Sequence, residues 1–142
     1  IKREIKRRKL KKYFELYKSF PIKRMNSFFL HADALLVTLM NKKVFNMTIP
    51  GKIQFYLASG IPIIGMIGGE GANIIKESKA GLVCKPGDYL KLSEIMSEMI
   101  ILDKNYLKKM GNNGKKYCKK EFAKDKLMNQ LNQILIRESN KK

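Results

Sequence analysis

The sequence is short of several things, and each shortage narrows what the chain can be. No apolar run reaches the roughly 18 residues that a membrane-spanning helix needs. Acidic residues are scarce, 12 against 30 Lys and Arg, which leaves a formal net charge of +18. Cysteine occurs only at Cys84 and Cys118, without the spacing of a metal site or a redox pair, so structural thiols in a reducing cytoplasm are expected. The single histidine, His31, beside an apolar run, reads as a core histidine sooner than a catalytic one. No signal peptide is expected from the opening, where Ile1 leads directly into Lys2-Arg3-Glu4-Ile5-Lys6-Arg7-Arg8-Lys9. The chain is expected to be a piece of something longer, its natural beginning missing. Internal repeats and low-complexity linkers are also lacking, so residues 1–142 are expected to form one domain.

What is present is a chain with 44% hydrophobic residues, enough for a folded core. The charge is terminal. Residues 1–24 hold 11 basic and 2 acidic residues, residues 103–142 hold 12 and 4, and the middle holds 7 and 6. Basic ends of this kind bind nucleic acid or anionic lipid headgroups, or are simply solvated helix faces. No nucleic-acid-binding motif accompanies the charge, which disfavours that partner.

Local patterns predict alternating strands and helices. The first dozen residues read as a basic helix, and Tyr13-Phe14-Glu15-Leu16-Tyr17 as a short aromatic strand. Pro21 suits the first position of a helix carrying Ile22, Met25, Phe28 and Phe29. Ala34 to Leu39 reads as a strand buried on both faces, followed by a polar loop at Asn41-Lys42-Lys43. Thr48 and Pro50 open a helix that Gly60 ends, and Ile61 to Met66 forms the next buried strand. Gly68-Gly69-Glu70-Gly71 leads into a helix through Glu77. Gly81 to Cys84 is the fourth strand, and Asp88 caps the helix after it. Beyond this the sequence reads as helical, one helix ending at Gly111, another spanning Lys115 to Phe122. A final amphipathic helix from Lys124 to Arg137 carries Leu127, Leu131, Ile134 and Leu135 on its apolar side. Four strand–helix cycles predict an α/β fold, a Rossmann-like parallel sheet flanked by helices.

In such sheets ligands bind beyond the carboxyl ends of the strands. Two loops there have the composition of a phosphate site: Thr48-Ile49-Pro50-Gly51-Lys52, a helix start with a lysine, and Gly68-Gly69-Glu70-Gly71-Ala72, whose glycines let the backbone approach a ligand. Neither matches the dinucleotide fingerprint or the P-loop, and each alone is as readily a tight turn or a solvated lysine. Glu70 and Glu77 have the composition of an acid/base pair, but seven positions apart on one helix they read sooner as including a structural surface carboxylate.

The order of these features carries more than any one of them. Ala32-Asp33-Ala34-Leu35-Leu36-Val37 is followed by Pro50-x-Lys52-Ile53-x-x-Tyr56-Leu57-Ala58-x-Gly60-x-Pro62-Ile63-Ile64. Then come Gly69-Glu70-Gly71-Ala72, Gly81-Leu82-Val83, Pro86-x-Asp88, and Met110-Gly111-x-x-Gly114 with Phe122. This set resembles the C-terminal domain of the family-four glycosyltransferases of GT-B fold, over about residues 13–137. Within the family it is most similar to enzymes of bacterial surface polysaccharide (O antigen, capsule) synthesis that transfer amino- or deoxysugars.

The resemblance implies a donor-binding domain that takes a nucleoside-diphosphate sugar as substrate, with no metal or other cofactor and retention at the transferred carbon. The acceptor, a saccharide or lipid-linked molecule, would be held by an N-terminal domain missing from this chain, along with the first strand or strands of this one. The chain alone is therefore expected to bind without catalysing, and its catalytic residues are unassigned. Localisation would be cytoplasmic, with peripheral contact to anionic lipid at the inner membrane face. By position, Lys52 would neutralise the diphosphate, and Gly69, Glu70, Gly71 and Ala72 would cradle the phosphates and donor sugar. Lys18, Ser19 and Phe20 fall where the family often holds the base. The family's two glutamates, the second of which grips the ribose, are replaced by Met47 and Phe55, leaving Gln54 or Glu70 as candidate ribose contacts.

Overall fold

A computed structural model describes residues 1–21, 24–29 and 31–140, with only the backbone described at Asn26. The chain runs α1 (Lys2–Arg7), a 3-10 turn (Lys11–Tyr13), α2 (Met25–Phe29), β1 (Leu35–Thr38), α3 (Lys43–Asn46), α4 (Gly51–Ser59), β2 (Ile63–Met66), α5 (Gly69–Glu77), β3 (Gly81–Cys84), α6 (Tyr89–Ile101), α7 (Lys104–Glu121) and α8 (Lys124–Ser139).

The three strands form one parallel sheet in the order β1-β2-β3. Leu35 pairs with Ile63, and Ile63 with Gly81. β2 is central, and its Ile63, Ile64 and Gly65 are all buried. Side chains alternate between two cores. Val37, Ile63 and Ile67 pack with Ile53 and Leu57 of α4 and with Ile74 and Ile75 of α5. Ile64 and Cys84 face the other way, onto Ile95 and Met99 of α6 and Met110 of α7. The fold is therefore α/β, a parallel sheet flanked by helices on both faces, consistent with a Rossmann-like arrangement.

Several terminations follow local chemistry. Gly60 closes α4 with φ 74°, a left-handed conformation that costs glycine nothing. The Asp88 carboxylate accepts the Lys91 amide at 2.9 Å and starts α6, and Asp103 accepts that of Asn105 at 2.8 Å to start α7. At the end of α5, Lys79 takes φ 52°, with Ala80 N–H bonding Ile75 O and Lys79 N–H bonding Lys76 O, a Schellman turn with lysine where glycine is usual.

The structure corrects six expectations. Among the described residues there are three strands, not four: Tyr13 to Tyr17 form no ladder, because no strand lies beside them. α2 begins at Met25, not at Pro21, whose carbonyl accepts the Arg24 amide at 2.9 Å; Ile22 lies outside the described residues. β1 is buried on one face only. Leu36 is 44% exposed, since it stands beyond β2 and β3, on which α6 packs. The loop after β1 contains α3. Thr48 does not cap α4: its hydroxyl donates to Val44 O at 3.0 Å, and Pro50 occupies the cap position.

The sixth concerns α7, which is continuous through Gly111. A β-carbon on Gly114 would stand 3.3 Å from Leu57 Cδ2 and 3.2 Å from the Ala80 β-carbon. Gly111 and Gly114 thus sit mid-helix, where each is unfavourable by about 1 kcal/mol relative to alanine, because α7 presses onto α4 there. α8 follows a different pattern: none of its residues is buried, and Leu127, Leu131, Ile134 and Leu135 are all exposed. No helix among the described residues is long and apolar enough to cross a membrane.

Candidate functional site

The carboxyl ends of the strands point to the loops 39–42, 67–68 and 85–88. Around the last two lies a cleft of about 470 Å³. One wall is the inner stripe of α5, with Gly69, Ala72, Asn73 and Lys76 at helical spacing; the other is the run from Val83 to Pro86 with Asp88 and Lys91. Three lysines, Lys76, Lys85 and Lys91, line this cleft against one carboxylate, Asp88, which is occupied in capping α6. Lys91 also donates to Glu94 at 2.8 Å, and that hydrogen bond holds its ammonium above the usual lysine range. Lys76 and Lys85 form no ion pair among the described residues. A second cleft, about 410 Å³, lies across Pro86, where Leu39, Met40 and Met66 supply apolar surface and Thr38 and Asn41 polar groups.

The glycines of the α5 loop have distinct reasons to be there. Gly69 has φ 61°, and a β-carbon on it would stand 2.0 Å from Asn46 O, so α3 lies directly against this loop. On Gly68 the β-carbon would be 3.0 Å from Asn46 Oδ1. Gly71 is buried, and its β-carbon would meet Ile53 Cδ1 at 2.7 Å and Pro50 Cδ at 3.3 Å. Gly71 thus brings the first turns of α4 and α5 together. Neither first turn has a side-chain cap, since Pro50 and Gly68 precede them. Their free N–H groups leave partial positive charge at this end of the sheet.

The residues singled out from sequence are only partly assembled. Gly69 and Ala72 line the cleft; Gly71 packs behind it. Glu70, exposed on the first turn of α5, accepts a 3.5 Å hydrogen bond from Asn73. Lys52 is exposed on the first turn of α4 and does not line the cleft. Gln54 is exposed, and its carbonyl accepts from the Cys118 thiol at 3.8 Å. Ser19 and Phe20 lie in the irregular stretch before α2, away from the cleft lining; the Phe20 ring packs on Phe28 at 4.8 Å. Met47 and Phe55 are both exposed.

Other candidates have structural employment. The Glu77 carboxylate accepts from the Tyr117 hydroxyl at 3.3 Å, in the last turn of α5, two turns from Glu70, so the two do not form an acid/base pair. His31 is exposed, not in the core, and its Nδ1 lies 2.9 Å from Ser27 O. Burial pushes the Cys84 thiol up, with Asp88 adding to the effect, and burial does the same to Cys118; neither is an activated nucleophile. No cluster of metal-ligating side chains occurs among the described residues.

Lys76, Lys85 and Lys91 are the functional candidates that sequence reasoning missed. Lys85 alone left a signal, as the residue immediately following a strand at the carboxyl edge. Chemically, the cleft offers cations and backbone amides to an anion of diphosphate size.

Comparison of the chain with protein-family models, with curated proteins and with solved structures finds no match to any of them.

Proposed function

We propose that this chain binds the nucleoside-diphosphate sugar of a GT-B glycosyltransferase, as the donor half of that enzyme. One observation carries the proposal: a cleft at the carboxyl edge of a parallel sheet, walled by an uncapped glycine-rich helix start and lined by Lys76, Lys85 and Lys91. A diphosphate there meets ammonium groups and amide dipoles aligned before it arrives, the arrangement that stabilises charge on a departing diphosphate without a metal. The less polar cleft across Pro86 offers room for the nucleoside or the sugar. Lys52, on the adjoining first turn of α4, contributes long-range charge from beside the cleft. Acceptor binding and the catalytic base belong to a partner domain, and the sugar transferred is one of those used in surface polysaccharides.

Isothermal titration of the chain with a nucleoside diphosphate tests this. Binding that weakens about tenfold in Lys85→Ala, from the loss of a charge-assisted hydrogen bond, is expected. A folded chain that binds no nucleoside diphosphate or its sugar at millimolar concentration rules the proposal out.

A further inference from the structure

α8 adds no side chain to either core, yet it carries an apolar stripe. Leu127, Met128, Leu131, Ile134 and Leu135 are each 45% to 58% exposed. With about 100° between successive helical residues, all five lie within about 60° of Leu131. α8 is tied to the rest of the chain from its other side. Lys126, about 140° round the helix from Leu131, donates to the Glu121 carboxylate at 2.8 Å and to Lys120 O at 2.9 Å, at the end of α7. The stripe therefore faces outward.

The order of residues along this stripe is symmetric about Leu131. Three positions to either side stand Met128 and Ile134, four positions away Leu127 and Leu135, and seven positions away Lys124 and Glu138. Apolar matches apolar, and at the two ends a cation matches an anion. Lys124 and Glu138 lie on the stripe themselves, about 20° from Leu131. An antiparallel copy of the same helix uses every one of these matches. A two-fold axis at Leu131 sets Leu127 against Leu135 of the second copy, Met128 against Ile134 and Lys124 against Glu138, while Leu131 meets its own equivalent. A parallel pair would oppose lysine to lysine and glutamate to glutamate. A groove on another protein, or a lipid surface, would use the apolar stripe but has no need of opposite charges at equal distances from its centre.

From this symmetry we propose that α8 is a self-docking surface, through which two copies of the chain associate as an antiparallel two-fold dimer. The dimer does not depend on what the cleft binds, since the stripe shares no residue with the cleft lining. Its strength is limited in two ways. Two helices of 16 residues, each about 24 Å long, bury less than the roughly 1,200 Å² of a standard interface. Each copy also carries a formal charge of +18, so the copies repel one another until salt screens them.

Sedimentation equilibrium of the whole chain tests this, from about 5 to about 500 µM in about 0.3 M salt. A monomer–dimer equilibrium with Kd on the order of 10–100 µM is expected. Leu131→Lys sets two ammonium groups face to face at the axis and should raise Kd at least about tenfold. Ile136→Lys makes the same change at a residue 61% exposed but off the stripe, and should stay within about twofold of the parent. Lys124→Glu should weaken the dimer about threefold, and adding Glu138→Lys should restore it. All four positions are exposed, so the variants should fold, which circular dichroism checks. The proposal is overturned by a monomer at every concentration, by equal losses in Leu131→Lys and Ile136→Lys, or by a double charge variant that recovers nothing.

Discussion

Gly111 approaches Gly60 so closely that a β-carbon on it would stand 1.8 Å from the Gly60 carbonyl oxygen. The contact joins the middle of α7 to the turn between α4 and β2, and so fixes the helix whose first turn lies beside the cleft. Helix propensity alone favours Gly111→Ala by about 1 kcal/mol. The clash is with backbone, which cannot swing aside, so a net destabilisation of about 2 kcal/mol is expected. Urea unfolding reads it directly; an unchanged or raised midpoint contradicts the packing described.

Lys79→Gly should act in the opposite direction. Lys79 holds φ 52° at the end of α5, and its carbonyl, which accepts from Asn113 at 3.4 Å, remains in the variant. Relief of the left-handed strain is expected to stabilise the chain by about 1 kcal/mol, seen as a higher thermal midpoint. A fall of that midpoint would mean that the lysine side chain is needed there.

Parts of the fold are legible in sequence where their causes are local, and illegible where they are not. The strand Gly81 to Cys84, the Asp88 cap and the Gly60 stop rest on chemistry within a few residues, and all three stand where the pattern puts them. Gly111 reads as a stop because a glycine in a polar stretch looks like a helix end; its reason lies in Gly60, which is distant in sequence. Tyr13 to Tyr17 have the composition of a strand, but a strand needs a neighbour, and no local pattern supplies one. α3 was hidden behind two lysines that resemble a loop. In the site, Gly69 and Ala72 were visible because a glycine-rich helix start is a local pattern. Lys76, Lys85 and Lys91 were not, because only the parallel pairing of β2 with β3 brings α5 and α6 around one cleft.

Acid sensitivity has a specific contributor at the junction of α7 and α8. The Glu121 carboxyl is held below its ordinary value of 4.5 by hydrogen bonds from Lys126 and Lys120. A depressed folded value means that the stabilisation is complete above the unfolded pKa and is lost as pH falls through the folded one. The midpoint of Glu121→Gln should therefore sit below that of the parent at neutral pH and converge with it as the pH falls through the depressed folded value. Parallel pH profiles would contradict the pairing.

The two thiols should behave as packing groups. Burial raises both above the ordinary value of 9.0, so little thiolate is present near neutrality. Alkylation at about pH 8 is expected to be slow in the folded chain, slowest at buried Cys84, and rapid in denaturant. Fast modification of Cys84 in the folded chain would show that the floor of the cleft is open.

The claim that most needs measuring is that the carboxyl-edge cleft is where a nucleoside diphosphate binds. Amide resonances followed by NMR during titration with a nucleoside diphosphate test it residue by residue. The account predicts shifts at Gly68, Gly69, Glu70, Ala72 and Lys85, with little change in residues 2–16 and in α8. Shifts confined to the basic N-terminal residues, or none at saturating ligand, would contradict it.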